Sequence, residues 1–251
     1  MIKLTLSPKP VELTDELQHQ LTKEFKGSGK DVWNKPFIRK AVSDMSFSKC
    51  VYSEVRFDEK SVFMEVEHFF CKSLYPDKVV EWGNLLGSVK KCNGVKGDLD
   101  VGKEPIINPF EVHPHEHLYM RGFRYYPRNQ SKIGRRTIDC TAINDRQHFV
   151  ESRAKVGLEI MERLEDYEFE MNEIQANFSS VTKHKLTRFC NKIKNLFALG
   201  NRTKEYAALV STVILEEDET PKLIVFLQQN NLWDSEFEEL IDELEFCQLK
   251  K

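Results

Sequence analysis

Two hydrophobic rhythms run along this chain, and the change between them falls near residue 150. In the first part the apolar residues come in short runs broken by turn formers. Thr14 to Phe25 reads as a short helix with Thr14 as its N-cap, closed by the Gly27-Ser28-Gly29 turn. Asp31 to Ala41 has a helical pattern interrupted by Pro36. Lys49 to Phe57 and Ser61 to Val66 partly alternate apolar and polar residues, which predicts extended segments joined at Asp58-Glu59-Lys60 as a hairpin. Leu85 to Val89 predicts a short apolar strand, Cys92 to Gly97 a helix, residues 105–114 a loop, and His117 to Tyr126 an aromatic-rich strand.

Beyond Thr141 the period becomes helical. Ala154, Leu158, Met161 and Leu164 form one stripe, Leu186, Phe189, Ile193 and Leu196 a second, and Phe237, Leu240, Ile241 and Leu244 a third, with Ser235 as candidate cap. The expected class is therefore α+β: a mixed N-terminal part over residues 1–150 with helices at its start, and an all-helical extension over 151–251. On a chain-terminal helix, an apolar stripe is also how a subunit would grip a partner or a second copy of itself as a homodimer.

Composition narrows the class without naming a function. With 40% hydrophobic and 31% charged residues over 251 positions, the chain is an ordinary globular protein long enough to bury a core. No apolar run approaches the roughly 20 residues of a membrane span, and Met1 to Lys9 lacks the pattern of a secretory leader, so the expectation is a cytoplasmic protein with no membrane partner. The 6 cysteines are scattered (Cys50, Cys71, Cys92, Cys140, Cys190, Cys247), which fits reduced thiols better than a disulfide framework.

The net charge of -3 hides a strong asymmetry. Arg121, Arg124, Arg128, Lys132, Arg135 and Arg136 form an acid-free stretch interleaved with Phe123, Tyr125 and Tyr126, a composition suited to tracking and stacking on nucleic acid. Lys183, Lys185, Arg188, Lys192, Lys194, Arg202 and Lys204 form another, and the balancing carboxylates gather in 216–219 and 234–245. This second basic stretch reads as a phosphate-contacting arm or a dock for an acidic partner, with the arm slightly favoured. His113, His115 and His117 alternate and on a strand would share a face, but Pro114 breaks such a strand.

One set of residues carries chemistry: Val66-Glu67-His68-Phe69-Phe70-Cys71-Lys72-Ser73, then Trp82-Gly83-Asn84-Leu85-Leu86, then Cys92-Asn93-Gly94-Val95-Lys96-Gly97-Asp98. In order, residue type and spacing this resembles the HNH, or ββα-metal, nucleases. In that pattern an acid–His pair ends one strand, Asn-Leu opens a second, and a helix brings in another Asn followed by Lys-Gly. The resemblance implies a ββα-metal core at about residues 50–100, with His68 as general base and Glu67 and Asn93 as ligands of Mg²⁺ or Mn²⁺. It implies Asn84 as the residue that holds the loop between the strands, and Lys72 and Lys96 as contacts to neighbouring phosphates. The residue types suit the task, because a neutral imidazole accepts a proton near pH 7 and a hard cation takes oxygen ligands.

Many such proteins carry two Cys-x-x-Cys pairs around a structural zinc. Here Ser53 replaces one cysteine and Val89 another, leaving Cys50 and Cys92, so no structural zinc is expected. The wider layout, including Val32-Trp33, Ile107-Asn108-Pro109, Arg136-Thr137-Ile138, Ile143-Asn144 and Arg153, is similar to the PtuB-type subunits of Septu and retron-associated anti-phage systems. That likeness implies an ATPase partner of the PtuA type, an association with a retron reverse transcriptase and its msDNA in some relatives, and DNA as substrate with RNA or tRNA as the alternative. A scaffold that anchors the ATPase with little hydrolysis is the competing expectation.

Overall fold

The first helix forms where its capping chemistry lies. In the computed structural model, which describes residues 1–58 and 61–251, α1 spans Asp15–Ser28. The Thr14 side chain accepts the Leu17 N–H, Asp15 and Glu16 sit in the first turn, and Gly29 at φ 67 closes the end. Helix α2 spans Pro36–Met45: the proline expected to interrupt a helix instead begins one, at the position where its missing N–H leaves no bond unmade.

Strands β1 (Met64–His68) and β2 (Leu85–Val89) pair antiparallel, with Glu67 opposite Leu86 and His68 opposite Leu85. The predicted partner of β1 was Lys49–Phe57. That segment makes only an isolated bridge, Lys49 to Arg56, and the hairpin turn proposed at 58–60 falls partly outside the described residues. Helix α3 (Lys90–Lys96) follows β2 directly and packs on both strands. On the far side, Met64 and Val66 join Leu21, Trp33, Ile38 and Val42 in an apolar core.

Strands β3 (Leu118–Arg121) and β4 (Arg124–Pro127) form a tight hairpin turning at Gly122, where φ is 57. The expected single aromatic strand is thus folded back on itself. Helix α4 (Lys132–Thr141), capped by Ser131, packs on α3 and was not foreseen. It approaches β3 at Gly134, where a Cβ would lie 2.2 Å from the His117 carbonyl oxygen. Backbone cannot yield there as a flexible side chain would. Gly134→Ala is expected to cost about 2 kcal/mol, read as a lowered urea midpoint with unchanged slope; an unchanged midpoint would contradict this packing.

The helical remainder comprises α5 (Glu151–Ala176), α6 (Lys183–Phe197), α7 (Ala207–Glu216), α8 (Glu219–Gln229) and α9 (Ser235–Cys247). Two compact units emerge: Met1–Tyr119 with Tyr125–Phe149, and Val150–Lys251 with Met120–Arg124. In the second unit α7 is buried on nearly every side, with α5, α8 and α9 around it, which explains its lack of an amphipathic period. The stripe proposed for α5 is shifted: Gly157, Ile160, Leu164 and Ile174 face inward, while Leu158 is 51% exposed.

Half of the apolar stripe of α9 covers the unit's own core, while Leu240 and Ile241 stay half-buried. Phe237 and Leu244 are buried against α6 and α7, and Asp234, not Ser235, caps the helix. The basic helix finds its acidic counterpart within the same chain: Lys194 pairs with Asp234 and Glu236, Arg202 with Glu243, and Lys192 with Glu170. Three of the seven cations are therefore withdrawn from the phosphate-arm reading of that stretch, and Lys183, Lys185 and Arg188 make no ion pair among the described residues. No described helix is long and apolar enough to cross a membrane.

Candidate active site

Strand geometry sorts the motif residues before any chemistry is considered. Successive side chains on β1 point to opposite faces. Glu65 and Glu67 therefore share the face covered by α3, and His68 joins Met64 and Val66 on the core side. On α3, Asn93 and Lys96 stand three residues apart and project together. The two elements meet in parallel rungs: the Asn93 Nδ2 donates to Glu65 Oε2 at 2.7 Å, and the Lys96 ammonium lies 2.6 Å from Glu67 Oε1.

Lys96 also donates to the His68 carbonyl oxygen at 2.8 Å, and its side chain is fully buried. In this structure it is an internal counter-ion rather than a surface contact for phosphate. Glu67 is equally buried, and burial pushes its carboxyl up to about 7 although Lys96 and Lys72 pull it down. Despite the close ammonium, Oε1 of Glu67 accepts no well-aligned hydrogen bond.

His68 is 5% exposed, with its Nε2 2.9 Å from the Val79 carbonyl oxygen and its ring edge-on to Trp33 at 4.6 Å. A carbonyl only accepts, so Nε2 carries the proton and Nδ1 is left as the basic nitrogen. Burial pulls the imidazole down to about 4, and Lys72 and Lys96 act in the same direction, so the ring is neutral at pH 7. The Lys72 ammonium sits 5.0 Å over the other aromatic surface of this corner, the Trp33 ring. Lys72 is half-buried and remains the better placed of the two predicted phosphate-contacting lysines.

Asn84 has its whole side chain engaged in the loop between the strands. Its Oδ1 accepts the Phe70 N–H at 2.7 Å, and its Nδ2 donates to the carbonyl oxygens of Phe70 and Lys78. It thereby fixes the loop that carries Lys72 and brings Val79 to His68, and it has no side-chain atom free for an ion.

The oxygen donors offered for a cation are those of Glu67 and Asn93. They are hard oxygens of the kind Mg²⁺ or Mn²⁺ takes; Asn93 Oδ1 has no partner among the described residues, whereas the Glu67 carboxyl is ion-paired with Lys96. No group of three or more His, Cys, Asp or Glu among the described residues is arranged to hold an ion. Glu65, which the sequence reading passed over, is the residue that meets Asn93; its position two before Glu67 on one strand face was the available signal.

The residual cysteines are neighbours in the core. Cys50 and Cys92 are fully buried, Cys50 Sγ accepts the Ser53 N–H at 3.5 Å and lies 3.6 Å from Ser88 Oγ. Burial alone would push the Cys50 thiol up, but hydrogen bonds from Cys92, Ser53 and Val89 outweigh it and pull it to about 5, while burial and Cys50 push Cys92 up. The three histidines do not share a strand face: residues 114–116 form a 3-10 turn, His113 stacks on His115, and His117 Nδ1 meets Ser131.

The basic segment is divided between the units. Arg121 and Arg124, both exposed, belong to the helical one. In the other, Lys132 and Arg135 are exposed and make no side-chain hydrogen bond or ion pair among the described residues, and they line a groove with Pro127, Gln130 and Asp139. Arg136 in the same groove is tied to Glu104 and the Pro105 carbonyl, and Arg128 is half-buried. Tyr119 and Tyr126 stack on each other at 5.5 Å.

No protein-family model matches the chain. Among characterised proteins it is similar to the Septu protein PtuB of Bacillus thuringiensis, with 36% identity over 248 residues that cover 98% of this chain and 94% of the relative.

Proposed function

This chain belongs to the PtuB family of Septu proteins, and on that premise we propose that it is the nuclease subunit of an anti-phage defence complex, hydrolysing phosphodiester bonds with an HNH-type centre. In this reading β1, β2 and α3 are a ββα-metal unit. The observation that supports it is the antiparallel β1–β2 pair followed directly by α3, with a neutral, hydrogen-bonded imidazole at His68 and a carboxyl at Glu67 on opposite faces of β1, and an amide with an unengaged oxygen at Asn93 on α3.

Glu67 and Asn93 would hold Mg²⁺ or Mn²⁺, which supplies charge to stabilise the phosphate and its leaving oxygen. His68 takes a proton from the attacking water at Nδ1, the nitrogen not committed to Val79. The Val79 carbonyl holds the ring's tautomer, and Trp33 fixes its plane. Asn84 keeps that carbonyl in place through Lys78, its neighbour in the loop. Lys72, Lys132 and Arg135 provide charge for flanking phosphates. A partner ATPase of the PtuA type positions or restrains the nuclease, and DNA is the first substrate to test, with RNA or tRNA second.

The test is incubation of the purified protein, alone and with its ATPase, with plasmid DNA and total RNA. Cleavage is expected with Mg²⁺ or Mn²⁺ and none with EDTA, and less than one equivalent of zinc is expected by elemental analysis. Cleavage unaffected by EDTA would remove the metal reading, and a full equivalent of zinc would remove the reading of the altered cysteine pairs. One observation favours the scaffold alternative: Glu67 is already neutralised by Lys96 in a buried ion pair. Absence of cleavage of either nucleic acid in the complete complex would select that alternative.

A further inference from the structure

We infer that Glu65 is a positioning residue that sets which end of the Asn93 amide is presented to a divalent cation. This rests on the reading of Asn93 as a metal ligand. An asparagine amide has two ends of similar size and opposite chemistry: the oxygen accepts a hydrogen bond or a cation, the nitrogen only donates. Rotation about the last side-chain bond exchanges them, so an asparagine serves as a cation ligand only when something holds the nitrogen elsewhere.

Glu65 does this. It lies on the α3-facing side of β1, two residues before Glu67, and its Oε2 is 2.7 Å from Asn93 Nδ2. A carboxylate oxygen can only accept, so the nitrogen is the end turned towards it, and the flipped amide would set oxygen against oxygen. The Asn93 Oδ1 is consequently left without a partner among the described residues. The backbone of Asn93 is fixed as well, since its carbonyl accepts the Gly97 N–H that ends α3. With the neighbouring rung taken by Lys96 and Glu67, the helix is registered on the strand at two points. Glu65 thus adds what the second rung cannot, the orientation of one amide.

The experiment measures Mn²⁺ affinity of the full-length protein by titration with electron paramagnetic resonance detection, alongside thermal denaturation in EDTA. Wild type is expected to bind and Asn93→Ala to bind more weakly. Glu65→Gln is expected to weaken Mn²⁺ binding about tenfold, because a glutamine can donate as readily as accept and no longer selects the amide's orientation. In an Asn93→Ala background, where there is no amide to orient, the same Glu65→Gln change is expected to alter the residual affinity by less than about twofold.

An unchanged affinity for Glu65→Gln, with only its melting temperature lowered, would make Glu65 a structural tie and overturn the inference while leaving Asn93 a ligand. A tenfold loss that persists in the Asn93→Ala background would also overturn it, because Glu65 would then act on the cation other than through the Asn93 amide. If wild type binds no Mn²⁺, or Asn93→Ala binds as wild type does, the ligand assignment itself falls and this inference falls with it.

Discussion

Replacing His68 by alanine is expected to lower kcat/KM for cleavage by about a thousandfold, the middle of the range for a lost general base, with circular dichroism and partner binding as in wild type. The ring's environment sets this expectation. It is neutral at pH 7 because burial and two nearby ammonium groups disfavour its cation, and one nitrogen is bound to Val79 so that the other is available. The loss should fall on kcat, since the ring takes a proton in the transition state and adds little to ground-state binding. His68→Asn keeps a polar group of similar reach, yet it cannot accept a proton and should be as inactive. Wild-type rates from either variant would remove the base assignment.

The second large effect concerns folding. Removing the ammonium with Lys96→Ala leaves the Glu67 carboxyl buried without its counter-charge, and loss of one member of a buried ion pair costs about 3–5 kcal/mol. Urea denaturation in EDTA measures it. The double variant Lys96→Met with Glu67→Gln, which removes both charges, should recover most of the loss because neither group is left charged and unpaired.

The pH dependence of the single variant has a definite sign. A carboxyl whose folded-state pKa is raised contributes stability that is fully present below its unfolded value, 4.5, and lost as pH rises through the folded value, about 7 in the wild type and higher without Lys96. The penalty in Lys96→Ala therefore grows from pH 5 to pH 8. A cost under about 1 kcal/mol at pH 8 would show the pair to be solvated, in conflict with its burial.

Much of the local structure was legible because local chemistry specifies it. Thr14 caps α1, Leu85–Val89 is β2 as the apolar run indicated, and Cys92 and Asn93 lie on a helix. Errors arose where a local signal has two meanings. Pro36 breaks a helix from within but starts one from its first turn, and the aromatic run 117–126 folds into a hairpin because Gly122 alone can take the turn's positive φ cheaply. Helix α7 escaped notice because a segment buried all round has no polar face to give it a period. Strand β1 pairs with β2, 17 to 25 residues away by the pairs His68–Leu85 and Met64–Val89, where proximity along the chain had suggested 49–57.

The sequence by itself determined the kinds and spacing of Glu67, His68, Asn84 and Asn93, and that Ser53 and Val89 stand near Cys50 and Cys92. Only the tertiary structure decided what each group faces. The period of two on β1 separates His68 from Glu67, α3 laid on that strand gives Lys96 to Glu67 and Asn93 to Glu65, and the acidic helix α9 neutralises cations that looked free. The reason is that ionisation, amide orientation and counter-ion choice depend on distances of a few ångströms and on exclusion of water. Those are set by packing between residues far apart in the chain, which no local pattern encodes.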